Sequence, residues 1–226
     1  MQAVLDAAPL LFRGFQITLS VALLSLALAT ALGALAAAAK LGGGALARGT
    51  AEVYTTIARG VPDLVMILIV YFGGQRLVSG LAASLGFSGR IDVSVFAAGV
   101  VAIGFTYGAY LGETFRGAYR AIPVGQVEAA RALGLSRARM TWRIVAPQLA
   151  RFALPGYANV WQVLVKATAV VSVIGLADIV GLAMRIGRRE RDPFTFLLVV
   201  MAAYLLITSV SGWAFSRAER RLARGY

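Results

Sequence analysis

Two acidic residues stand where an ionised side chain is costly. Asp63 in "RGVPDLV" and Glu113 in "GETFRG" lie within or beside long apolar runs, and a carboxylate in the hydrocarbon region of a membrane costs at least about 2.5 kcal/mol. An acid kept there pairs with a cation or lines a hydrated path, so both residues are candidates to receive a cationic group of a ligand. Each also has a plainer role open to it. Asp63 follows Pro62 at a helix start and can stabilise that N-terminus, while Glu113 can pair with Arg116 three residues on. Lys166 and Asp178 are further charges inside an apolar stretch. The 226-residue chain contains no cysteine and no histidine, which excludes thiol chemistry, disulfides, histidine-ligated zinc and a Ser-His-Asp triad. Its two lysines, Lys40 and Lys166, follow Ala39 and Val165, so there is no Gly-Lys phosphate loop and the chain is not its own ATPase. The chemistry on offer is binding and passage.

The elements that must position these charges are membrane helices. Hydrophobic residues make up 59% of the chain and charged ones 14%, with a mean hydropathy of +0.78, outside the balance of a soluble domain. Crossing a bilayer takes about 20 apolar residues. That length predicts an all-α integral membrane protein with five spans, at 14–39, 53–74, 93–112, 153–184 (a span plus an irregular exit) and 194–216. The N-terminus lacks the basic start and short apolar core of a cleaved signal, so the first span is expected to stay as an anchor. With the N-terminus outside and the C-terminus cytoplasmic, the inner segments 40–50, 117–151 and 217–226 hold twelve Lys and Arg. Six fall outside: Arg76, Arg90, Arg185, Arg188, Arg189 and Arg191. The positive-inside rule favours this orientation, although the cluster at 185–191 runs against it. The net charge of +12 is thus a topology signal, with no nucleic-acid motif beside it. Ser25, Ala29, Gly33 and Ala37 recur every fourth position and mark a close-packing face, within one subunit or between two.

Between the third and fourth spans lies "EAARALGLSRARMTWRIVAP", residues 128–147. Pro123 can open a helix, "VGQVEAARAL" continues it, and Gly134 can close it in the left-handed conformation. Ser136 is a plausible N-cap for a second helix carrying Arg137, Arg139 and Arg143. Such a hairpin could lie on anionic lipid headgroups. Its first helix, however, is too small-sided to anchor in lipid and suits a groove in a protein.

"EAARALG" followed by "IVAP" resembles the EAA signature of permease subunits of bacterial ATP-binding-cassette importers. The segments "YTTIARGVPDLVMILIVYFG", "GFTYGAYLGETFRGAYRAIPVGQVEAARALG", "LPGYANVWQVLVKATAVVSVIGLADIV" and the late "ERR" extend the resemblance to the polar amino-acid permease family from about residue 10 onward. Its histidine/lysine/arginine/ornithine group fits best, and opine permeases share much of the pattern. Two positions depart from it: Ala146 replaces a leucine before the loop proline, and Ala167 replaces an aspartate after Lys166.

The resemblance implies one type I importer permease domain over 1–226 in the bacterial inner membrane, with a cytoplasmic coupling loop at 117–152. It further implies that the chain is half of a translocation pathway and not an enzyme. Glu128, Ala129, Ala130 and Gly134 would couple to the ATPase; Asp63 and Glu113 would bind a basic amino acid. Expected partners are two ATPase subunits that hold ATP and magnesium, a second homologous permease or a copy of the chain itself, an extracytoplasmic solute-binding protein and membrane lipid. No cofactor is expected in this chain. A self-sufficient secondary transporter is the rival class, but such proteins often show paired repeats, and five spans offer no even duplication.

Overall fold

The computed structural model describes residues 2–85 and 92–223; Arg90 and Arg224, counted in the charge balance, lie outside the described residues. Among the described residues, five helical runs are long and apolar enough to cross a membrane. The first, α1 (Gln2–Gly42), has 41 residues, about 60 Å at 1.5 Å per residue, which is roughly twice the bilayer core. Its small-residue face turns inward onto α5 (Val95–Arg120). Ser25 donates to the Val100 carbonyl at 3.3 Å, and a Cβ on Gly33 would stand 2.8 Å from Leu111 Cβ and 2.9 Å from the Gly112 nitrogen. In a membrane, where lipid tails are as apolar as leucine, such close backbone approach is what holds helices together. The stripe is therefore a contact inside one subunit.

The second crossing lies later than 53–74. α2 (Ala45–Gly60) stops at Val61, which is extended at φ −101°, ψ 134°. Beyond Pro62, α3 (Asp63–Leu68) leads through a π-helical turn, Ile69–Gly73, into α4 (Gly74–Ser84). Proline cannot donate to the helix ladder and drives the residue before it out of the helical region. The crossing segment is thus Asp63–Ser84. Arg59 belongs to a separate helix, and Asp63 opens the span.

After α5 come α6 (Val124–Ala132) and α7 (Arg137–Met140), then a π-helical turn, Thr141–Val145, and α8 (Ala146–Ala167). With a 3-10 segment, Thr168–Ile174, the stretch Arg137–Ile174 forms one 38-residue run. It begins well before 153 and ends before 184, where Gly175 adopts a left-handed φ of 95°. α9 (Ile179–Arg189) is a separate amphipathic helix, and α10 (Pro193–Ala223) is the last crossing. Val21, Trp161, Leu164, Val165 and Val171 form the core among α1, α5 and α8. A second cluster, Leu11, Ile179, Ala183, Phe196 and Val200, fixes α9 between α1 and α10.

The loop folds as a hairpin with its own small core of Ile122, Ala130, Met140 and Val145. Gly134 sits at φ 72°, its N–H donates to Arg131 O at 2.9 Å, and the N–H of Leu135 returns to Ala130 O at 3.1 Å. These bonds satisfy carbonyls that the end of α6 would leave open. Ser136 stands at the N-cap of α7, but its hydroxyl makes no cap bond.

Candidate functional site

One face of α5 carries Tyr107, Tyr110, Glu113 and Arg116 at a spacing of three, which stacks them along the helix. α3 and α2 bring partners to that face. The buried Tyr107 hydroxyl donates to Asp63 Oδ2 at 2.9 Å, and its ring stacks on Tyr110 with centroids 5.6 Å apart. The Arg59 guanidinium lies 5.3 Å from the centre of the Tyr110 ring, a cation–π distance.

One turn further, Lys40 arrives from the end of α1 with its side chain only 3% exposed. Its ammonium donates to Glu113 Oε1 at 2.6 Å, Glu52 Oε2 at 2.9 Å and Thr55 Oγ1 at 2.6 Å. Three acceptors satisfy all three of its protons, which is the condition for holding a buried charge without a large desolvation cost. Arg116 completes the group: its Nε donates to Glu113 Oε2 at 2.8 Å and its Nη2 reaches the same oxygen. A cavity of about 490 Å³ opens beside these charges, lined by Lys40, Glu52, Arg59, Tyr110, Glu113 and Arg116 among others.

Asp63 and Glu113 therefore share a polar face but stand in different states. Asp63 has one neutral donor in Tyr107, whereas the Glu113 carboxylate already holds two cations. The Glu113–Arg116 pair was visible from spacing. Lys40, Glu52, Thr55 and Tyr107 were missed, because the contacts that recruit them cross 73 residues from Lys40 to Glu113 and 44 from Asp63 to Tyr107. The available signal was Lys40, a lone lysine ending a charge-free span.

The loop residues are placed apart from that face. Glu128, Ala129 and Gly134 are exposed, while Ala130 is 2% exposed and packed inside the hairpin. At the other end of α1, Asp178 caps α9, with Oδ1 accepting the Gly181 N–H at 2.9 Å. Its Oδ2 is buried and has no partner among the described residues. Burial pushes the Asp178 carboxyl up to about 6, against the pull of backbone N–H groups and Arg185.

Five apolar helical runs among the described residues, a projecting helical hairpin and a charged cavity describe a membrane transport component. Residues 10–224 match the family described as binding-protein-dependent transport system inner membrane component, and the chain belongs to that family. It is a multi-pass permease subunit of a binding-protein-dependent, ATP-binding-cassette transporter and not an enzyme. The chain is 41% identical over 215 residues to the histidine/lysine/arginine/ornithine transport system permease protein HisQ of Escherichia coli K12, covering 95% of this chain and 94% of that protein. It is 42% identical over 215 residues to the octopine transport system permease protein OccQ of Rhizobium radiobacter, covering 95% and 91%. Among solved structures, that of an amino acid ABC transporter with histidines matches at a TM-score of 0.82 and 29% identity over 97% of both chains. The inward-facing MetNI methionine transporter, at 0.74 and 18% identity over 96% of this chain and 98% of that one, supports the fold alone.

Proposed function

We propose that this permease carries polar amino acids, and basic ones in particular, in an ATP-driven importer. It pairs with a second homologous permease or with itself, binds two ATPase subunits that hold ATP and magnesium, and receives substrate from an extracytoplasmic solute-binding protein. The N-terminus faces outward. The 117–152 loop then lies in the cytoplasm, where Glu128, Ala129 and the turn at Gly134 meet the ATPase and Ala130 keeps the hairpin compact. The arginines at 185–191 lie on the outer side and dock acidic groups of the binding protein.

The observation that carries the basic substrate is the Asp63 carboxylate, oriented by Tyr107 at the opening of a membrane span and free of any ion pair among the described residues. It can accept an ammonium or guanidinium. Glu113 would do so only by exchanging with Lys40 or Arg116. The names of the relatives HisQ and, at 41% identity over 181 residues, the arginine ABC transporter permease protein ArtQ point the same way. An opine substrate is the second reading, supported by OccQ.

The test is binding-protein-dependent uptake by the reconstituted complex carrying Asp63→Asn, with arginine, lysine and a neutral amino acid as substrates and octopine as a competitor. Selective loss for the cationic substrates is the expected result. Equal loss for all would leave Asp63 as a helix-end residue, and octopine outcompeting every amino acid would shift the assignment to opines.

A further inference from the structure

The charged cavity does not balance. Lys40, Arg59 and Arg116 contribute three cations and Glu52 and Glu113 two carboxylates. The geometry shows which cation is left over. Lys40 is bonded to both acids, and Arg116 is held by Glu113 through two nitrogens. Arg59 has only the face of Tyr110, and no carboxylate pairs with it among the described residues. A guanidinium presents its N–H groups in a planar fork that matches a carboxylate, and stacking on a ring leaves the edges of that fork free.

Glu52, Thr55, Thr56 and Arg59 fall on one face of α2, at intervals of three and four residues. Glu52 and Arg59 stand seven residues apart, about 10 Å along the helix axis. The Glu52 side chain is 60% exposed even though one oxygen holds Lys40. The cavity wall thus offers a cation at one end, an accessible carboxylate at the other and a buried ammonium fixed between them. An extended basic amino acid has the complementary layout, with an α-carboxylate at one end and a side-chain cation at the other.

We propose that this cavity is a second substrate station, in which Arg59 binds the α-carboxylate of a basic amino acid and Glu52 receives its side-chain cation. The station rests on the amino-acid transport reading and is distinct from Asp63, which reads only the cationic end. Lys40, Glu113 and Arg116 form its preset floor: their mutual pairing keeps Glu113 from capturing Arg59 and so keeps the fork free. The Tyr110 ring holds the guanidinium without neutralising it. A ligand lacking the carboxylate has nothing to offer Arg59 and brings its cations, with no anion to offset them, to a site that already carries one excess positive charge, so it is rejected.

The test uses the purified complex of permeases and ATPase in lipid nanodiscs, without binding protein or nucleotide, and measures bound radiolabelled arginine by equilibrium dialysis. Agmatine, which is arginine without its carboxylate, is the competitor. Wild type should bind arginine, Arg59→Gln should weaken it by about tenfold or more, and Arg59→Lys should fall between them. Agmatine should compete poorly and equally in wild type and Arg59→Gln. Melting temperature and ATPase co-purification show that each variant is assembled, and Glu52→Gln supplies an independent variant at the other end. Unchanged arginine affinity in both Arg59→Gln and Glu52→Gln, or agmatine competing as well as unlabelled arginine, would overturn the station. So would absence of arginine binding to wild type. In that case, binding-protein-dependent uptake by the same preparation separates the two ideas: continued arginine uptake removes only the station, whereas no uptake of any amino acid removes the transport reading itself.

Discussion

Asp178 shows how much one carboxylate can impose on its surroundings. Oδ1 is used as the cap of α9 and Oδ2 is buried without a partner, so the site suits a protonated acid better than an anion. A carboxyl raised to about 6 from an ordinary 3.8 favours the folded state fully only when protonated. Its contribution is present below pH 4 and is lost as pH rises through 6, a swing of about 3 kcal/mol. Asp178→Asn keeps an acceptor for Gly181 and removes the titration. Thermal melting of the purified complex should therefore show a larger gain for the variant at pH 7.5 than at pH 4.5, and equal gains would mean that water reaches Oδ2. Asp63 and Glu113 differ from it in their partners, which are side chains: Tyr107 for Asp63, Lys40 and Arg116 for Glu113.

Among the elements, the hairpin between α5 and α8 is the most sharply specified. A Cβ on Gly134 would meet nothing within 4 Å, so its constraint is conformational and not steric crowding. At φ 72° a β-branched residue is strained by about 1–2 kcal/mol, whereas asparagine tolerates the region. Gly134→Val should abolish uptake while the protein still inserts, and Gly134→Asn should retain most of it. Full uptake by the valine variant would remove Gly134 from the coupling device. This hairpin was legible in sequence because its signals are local: Pro123 before it, alanines within it and a glycine to close it. The start of the second crossing was misplaced for an equally physical reason. Hydropathy rises before Pro62, and the run 53–74 is apolar enough to pass for a span, but the proline's effect on Val61 outweighs it. Asp63 and Glu113 were legible as costly charges. Their partners were not, since no spacing rule links Lys40 to Glu113 across the three intervening helices α2, α3 and α4.

At the scale of the whole molecule, the proposed orientation rests on the charge balance and is open to a direct measurement. The chain has no cysteine, so a single one reports without background. Gly187 is a poor site for it, because a Cβ there would come 2.8 Å from Pro193 Cα. Arg189, with 84% of its side chain exposed, is suitable, and Arg189→Cys should react with a membrane-impermeant thiol reagent added from outside. Protection would reverse the assigned orientation and withdraw the arginine cluster as a dock. Lys166 tells of the subunit before assembly. It is exposed on the long helical run through the membrane, and no acid pairs with it among the described residues. A newly made copy with no partner must hydrate that ammonium at a cost of about 2.5–3.5 kcal/mol near the bilayer centre, less toward its edge. A copy that stays without a partner is therefore expected to be shorter-lived than one whose assembly covers this position. In a pulse-chase of the chain expressed alone, Lys166→Leu should outlive wild type; with all partners present, the two should decay together. Equal lifetimes of the lone chains would show that the lysine is already solvated before any partner arrives.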